Sequence, residues 1–131
     1  MTGETGNSVT ELNYSGALFG NYNPTNANFN GPFAIAIDSG GNAWIANSAG
    51  AYVTELTSSG ELAGSFDIGF LGLQTGVAID ASGNVWLAIA GALFPTPAPR
   101  FVVEIIGAAG PVLTPVEACL KRTPPHAVCK P

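Results

Sequence analysis

The chain has 131 residues, with four Lys or Arg against nine Asp or Glu, a net charge of −5, 10% charged residues and 47% hydrophobic ones. Ordinary globular domains carry about 25% charged residues, so this balance excludes a highly charged disordered chain, and 17 Gly with 10 Pro punctuate the sequence too densely for a helical bundle. All four cations (Arg100, Lys121, Arg122 and Lys130) fall after residue 99, while seven of the nine acids fall before it. So few cations cannot displace phosphate counterions, and no nucleic-acid partner is expected.

In chain order, Met1 to Asn7 hold neither a basic stretch nor an apolar run, so they do not read as a secretory leader. Ser8 to Asn13 and Ala17 to Phe19 read as short strands around a Ser15-Gly16 turn. An Asn-rich connection, Gly20 to Gly31, follows. Phe33–Ile37, Ala43–Ala46, Tyr52–Thr57 and Glu61–Phe66 then form four runs bounded by Gly, Asn, Ser or Asp, as short antiparallel strands require. Ser48 to Ala51 and Asp67 to Thr75 are connections. A further strand set spans about 75–114, interrupted by the Pro-rich Ala90 to Pro99. The longest apolar run, Val85 to Phe94, is half the ~20 residues of a membrane helix, and no membrane span is expected. Residues 115–131 form an irregular Pro-rich tail holding Cys119, His126 and Cys129.

An internal repeat organises these strands. Ala36-Ile37-Asp38-Ser39-Gly40-Gly41-Asn42-Ala43-Trp44-Ile45-Ala46 aligns without a gap on Ala78-Ile79-Asp80-Ala81-Ser82-Gly83-Asn84-Val85-Trp86-Leu87-Ala88, 42 residues on. Val53-Thr54-Glu55-Leu56 has copies at Val9-Thr10-Glu11-Leu12, 44 residues upstream, and at Val102-Val103-Glu104-Ile105. A period in the low forties with four short strands per unit is the signature of a β-propeller blade. The expectation is therefore an all-β, incomplete propeller over residues 1–114. It comprises about two and a half four-stranded blades: a blade part at 8–19, a full blade at 32–67 and a last blade at 75–114. Propellers close with about 4–8 blades, so further blades upstream, or self-association, would have to cover the open strand edges.

Within each unit the Asp-x-x-Gly-Asn segment reads as a hairpin connection. Gly41, Gly83, Asn42 and Asn84 tolerate positive φ, and Asp38 and Asp80 can accept from nearby backbone N–H groups. Trp44 and Trp86 occupy equivalent places and are both expected to fill the wedge between blades. One acid per turn is too few for calcium, which takes 6–8 oxygen ligands, so both aspartates read as structural. Glu11, Glu55 and Glu104 read as a repeated, half-exposed strand position that also guards strand edges.

The patterns AIAIDSGGNAWIAN…VTELTSSG and VAIDASGNVWLA…VVEIIGAAG resemble NHL-type repeats, in particular bacterial virginiamycin B (streptogramin) lyase-like propellers. The resemblance covers residues 6–114. It implies a secreted or extracytoplasmic setting and, because the stretch Ile105 to Pro115 is similar to the ends of longer members, further blades N-terminal to this chain. It also implies, as an alternative function, a divalent-metal lyase that opens a cyclic lactone by elimination with a histidine base. No histidine lies in the repeats, and His126 is in the tail, so no catalytic or metal-ligating residue carries over and no cofactor is expected. Cys119, His126 and Cys129 supply one ligand too few for a closed zinc site and match no zinc spacing. The cysteines would either close a local disulfide in an oxidising compartment or remain thiols in a reducing one. The expected role is a non-catalytic binding or interaction module. A protein, small-molecule or carbohydrate ligand would sit at the variable loop face, where Phe70, Leu71, Leu93 and Phe94 are the apolar candidates.

Overall fold

The computed structural model describes residues 2–3, 6–69, 72–91 and 100–112, and every regular element among them is a β-strand. The strands are β1 (Thr2–Gly3), β2 (Ser8–Leu12), β3 (Leu18–Tyr22), β4 (Pro32–Ile37), β5 (Ala43–Asn47), β6 (Tyr52–Leu56), β7 (Leu62–Asp67), β8 (Gln74–Ile79), β9 (Val85–Ile89) and β10 (Phe101–Ile105). They form three antiparallel sheets ordered β1-β2-β3, β4-β5-β6-β7 and β8-β9-β10. Each sheet is an antiparallel meander, and tight turns join β2–β3, β4–β5, β5–β6, β6–β7 and β8–β9, the connection that alternating runs separated by Gly, Asn and Ser favour.

The repeat reaches down to its irregularities. A register shift interrupts β2–β3 between Glu11 and Leu12, and another interrupts β6–β7 between Glu55 and Leu56, the equivalent place. A second pair of shifts falls between Pro32 and Ala34 and between Gln74 and Gly76. Bulges bend and twist a strand, so equivalent bulges give successive sheets the same shape and let them stack.

Three local expectations differ from what is observed. The strand expected to end at Phe19 runs on through Gly20-Asn21-Tyr22, because these residues pair with Glu11, Thr10 and Val9. The first sheet also has a piece ahead of β2, since Thr2 pairs with Val9 and Gly3 with Ser8. Glu55 does not guard an edge: β6 lies between β5 and β7, with Trp44 and Gly64 opposite Glu55.

The core lies between sheets. Trp44, Ala46 and Val53 of the second sheet bury against Val85, Leu87 and Ile89 of the third, with Phe66, Val77, Ile79, Val103 and Ile105 packed around them. On its other side the second sheet buries Ile45 and Leu56 against Val9 and Tyr22 of the first. Alternation along each strand places one set of side chains on each face, so the second sheet is apolar on both and is sandwiched.

Candidate functional site: turns, loop end and open faces

The two Asp-x-x-Gly-Asn turns share one geometry. Asp38 Oδ1 accepts from Gly40 N–H (2.8 Å) and Asn42 N–H (2.9 Å), while Oδ2 accepts from Asn42 Nδ2 (3.2 Å) and Trp44 Nε1 (3.4 Å). Asp80 repeats the pattern with Ser82 N–H, Asn84 N–H, Asn84 Nδ2 and Trp86 Nε1, at 2.8 to 3.0 Å. Gly41 and Gly83 hold φ of 82° and 84°, whereas Asn42 and Asn84 stay out of the left-handed region and serve as donors instead. Each carboxylate has its lone pairs turned to donors of its own turn.

Among the described residues Asp38, unlike Asp80, also reaches the next blade's segment after β10, where Gly110 N–H donates to its Oδ2 at 2.9 Å. Burial alone would raise the Asp38 carboxyl, but the donors, led by Gly110 and Asn42 N–H, hold it below the usual carboxylate range. The Trp86 indole, followed by Asn84 N–H, brings Asp80 down to about 2. Glu55 moves the other way: burial, and then the Asp38 charge, raise it. Both aspartate patterns describe acids held ionised to anchor backbone.

The two turn glycines are not equivalent. A Cβ on Gly83 would run into the Ala109 carbonyl oxygen, whereas one on Gly41 would meet only the Ser58 Cβ, at 3.3 Å. Gly83→Ala is expected to cost about 2–3 kcal/mol, combining a left-handed alanine with a backbone collision. Gly41→Ala, limited to the conformational part, should cost about 1 kcal/mol. Urea midpoints compare them, and equal losses would mean that the Ala109 contact carries no weight.

A buried polar network, absent from the sequence expectations, ties the loop end together. Gln74 Oε1 accepts from Asn47 N–H (3.2 Å), and Gln74 Nε2 donates to the carbonyls of Gly50 (3.0 Å) and Tyr52 (3.2 Å). Asn47 Nδ2 donates to the Tyr52 carbonyl and to Thr54 Oγ1, and Thr54 Oγ1 donates to the Ala27 carbonyl. Gln74, Asn47 and Thr54 are fully buried. A signal does exist in the repeat, because Gln74 and Asn47 break it: their copies are Pro32 and Ile89, while Thr54 keeps its upstream copy Thr10 and differs at Val103.

Beside this network, the Asn-rich segment forms a polar hollow of about 470 Å³ lined by Asn7, Asn23, Thr25, Asn26, Asn28 and Phe29, among others. Asn7, Asn26 and Asn28 hold φ of 44°, 66° and 53°, a conformation asparagine adopts more readily than most residues. The segment is pinned by Asn7 Oδ1 accepting from Gly31 N–H (2.9 Å) and by Asn28 Nδ2 donating to Ser65 Oγ (3.0 Å). Among the described residues no charged side chain lines the hollow. The apolar loop candidates Phe70, Leu71, Leu93 and Phe94, and the tail residues Cys119, His126 and Cys129, lie outside the described residues.

No protein-family model and no curated protein matches the chain. Among solved structures, one of streptogramin B lyase is similar, with a TM-score of 0.57 and 19% identity. The match covers 81% of this chain and 37% of that one. The fold is an incomplete β-propeller. At this identity the likeness concerns the fold, and the chain spans little more than a third of the propeller it matches. The first, second and third sheets are successive blades, with four strands in the second.

The two tryptophans separate the interior of this arc from its open end. Both were expected in a wedge between blades, yet Trp44 is 0% exposed and Trp86 is 38% exposed. The same contrast holds for Val53 at 0% and its copy Val102 at 63%. The residues are equivalent; what differs is that the next blade covers the Trp44 face, and no described residue covers the other. At the opposite end, a groove of about 540 Å³ opens between the first and second blades, lined by Val9, Leu12, Tyr22, Ile35, Ile37 and Leu56, among others.

Proposed function

We propose that this chain is an arc of a larger, NHL-like extracytoplasmic propeller and serves as a non-catalytic binding or interaction module. The observation that carries this reading is the exposed Trp86 and Val102 face, which repeats a surface that the second blade buries completely. An exposed apolar face of inter-blade type marks an interaction surface, and further blades would cover it in a closed ring. The amide-lined loop end, with no charged lining residue among those described, suits a neutral hydrogen-bonding ligand such as a carbohydrate. Light scattering tests the arc reading. The isolated chain is expected to self-associate through the Trp86 face, and Trp86→Glu is expected to suppress association while leaving the strand circular dichroism intact. A clean monomer with cooperative melting would overturn it.

The structural likeness favours a second reading, a divalent-metal lyase akin to the streptogramin B lyase that this fold resembles. Among the described residues no three His, Cys, Asp or Glu side chains come together, so those residues do not fit a metal of that kind. Turnover of a cyclic lactone by the whole protein with added Mg²⁺ would support the lyase; no turnover would remove it.

A further inference from the structure

We propose that Asn13, in the turn between β2 and β3, is an acceptor site for an N-linked glycan. The proposal goes beyond the binding role and rests on the extracytoplasmic part of that reading, because such glycans are attached to exported chains.

Asn13-Tyr14-Ser15 is the one triplet in the sequence with asparagine, any residue but proline, and then serine or threonine. Asn23-Pro24-Thr25 has the outer residues but carries the excluded proline. Such a triplet counts for little unless the fold presents the amide. Here every residue from Glu11 to Phe19 is exposed, and Tyr14 is fully so at 105%. The two ends of the Asn13 amide have different fates. Oδ1 accepts from Ser15 N–H (2.9 Å), Ser15 Oγ (2.7 Å) and Ala17 N–H (3.0 Å). The two backbone donors identify that end as the oxygen. Nδ2 has no partner among the described residues and stands in solvent. Glycan transfer needs that nitrogen, and the bonds on the oxygen side aim it outward.

The second blade supplies the comparison. Its β6–β7 turn has the same backbone frame: Thr57 N–H donates to the Glu61 carbonyl at 2.8 Å, as Asn13 N–H does to the Ala17 carbonyl at 2.9 Å. Thr57 Oγ1 takes the part of Asn13 Oδ1, accepting from Glu61 N–H at 3.1 Å and sharing a hydrogen bond with Ser59 Oγ at 2.8 Å. A hydroxyl therefore completes this turn, and the amide nitrogen of Asn13 is additional to what the fold requires. The surroundings differ as well. A Cβ on Gly60 would fall on the Tyr22 ring, whereas one on Gly16 would meet nothing within 4 Å, so the first turn is open to an enzyme's approach. Successive connections of a meander alternate between its ends, and the β6–β7 turn lies beside the Asp38 turn, where Ser58 approaches Gly41. By repetition the β2–β3 turn lies at that same end, and a glycan on it stands away from the Asn-rich hollow. The co-reactant is a glycan carried on a polyprenyl diphosphate. Asn13 Nδ2 attacks the anomeric carbon, a C–N bond replaces the C–O bond to the diphosphate, the lipid diphosphate leaves, and one Nδ2 proton passes to the transferase. An amide nitrogen is a weak nucleophile, so the transferase supplies activation and this chain supplies presentation.

The test incubates the purified, folded whole chain with a single-subunit oligosaccharyltransferase and its lipid-linked glycan, and reads the intact mass and the modified peptide. A gain of one glycan is expected, on Asn13. Asn13→Thr, which copies the second-blade turn, should melt with the parent and gain nothing. Ser15→Ala should lower the yield at least tenfold, and Ser15→Thr should keep it. No glycan on the folded chain, a glycan on another residue, or transfer that ignores Ser15→Ala would overturn the proposal. Transfer to a free peptide of residues 8–20 but not to the folded chain would overturn it too, because the fold would then withhold the amide. Enzyme and donor are supplied to the purified chain, so failure here strikes the acceptor site. Export is read separately, from the compartment in which the protein's own cells hold it.

Discussion

Replacing Trp44 by alanine is expected to cost about 3–5 kcal/mol of folding stability, while the same change at Trp86 should cost about 1 kcal/mol or less. The two residues occupy equivalent places in the repeat and make the same indole hydrogen bond to their turn aspartates. Trp44 is fully buried, packs in one cluster with Val85 and Leu87, and stacks on Phe66 with ring centroids 5.1 Å apart and planes 29° from parallel. Removing it opens a cavity between blades that rigid strands cannot close, adding a packing loss to the lost transfer energy. Domains are stable by only about 5–15 kcal/mol, so the Trp44 variant should sit near the edge of folding. Guanidinium unfolding of both variants decides the matter. Comparable losses in the monomeric protein would mean that the chain covers its own Trp86 face, which removes the open end on which the arc reading depends.

The second large effect is expected at Asp38. In Asp38→Asn one side-chain atom can still accept from Gly40 and Asn42 N–H, but the new NH2 group would face Asn42 Nδ2, the Trp44 indole and Gly110 N–H. Donor against donor leaves partly buried groups unsatisfied and severs the link to the Gly110 segment. The expected loss is about 2–3 kcal/mol. Asp80→Asn, on a more exposed turn with no such cross-blade donor, should lose less.

The pH dependence has a definite sign. Asp38 and Asp80 both titrate below their unfolded value of about 3.9, Asp80 at about 2. Their contribution is complete above the unfolded value and disappears as pH falls through the folded ones, so melting temperature should drop steeply between about pH 4 and 2. Glu55, raised by burial and by the Asp38 charge, works oppositely and lends stability when protonated. Glu55→Gln should therefore flatten the gain on mild acidification. A melting temperature constant from pH 5 to 2 would show that the turn carboxylates anchor nothing.

Turn chemistry is legible from residues because its cause is local. An aspartate two residues ahead of one backbone N–H and four ahead of another can reach both wherever the hairpin sits, and glycine at the sharp position needs no Cβ. The extension of β3 is less legible: Gly20-Asn21 looks like a turn, and only pairing with Thr10 and Glu11 makes it a strand. The Gln74–Asn47–Thr54 network escapes a reading built on repetition, because Gln74 and Asn47 stand where the copies diverge. Gln74 finds its partners Asn47, Gly50 and Tyr52 across the interface with the second blade, which only the stacking of blades brings into reach.

The 42- to 44-residue period, the all-β class, the positions of the bulge-bearing strands and the chemistry of the Asp-x-x-Gly-Asn turns follow from the sequence by itself. Spacing and turn residues act over a few positions along one chain. The fates of Trp44 and Trp86, of Val53 and Val102, and of Ile35 and Ile37 belong to the tertiary structure. Burial is a property of two surfaces, and identical residues on equivalent strands become core or open face according to whether a neighbouring sheet lies against them.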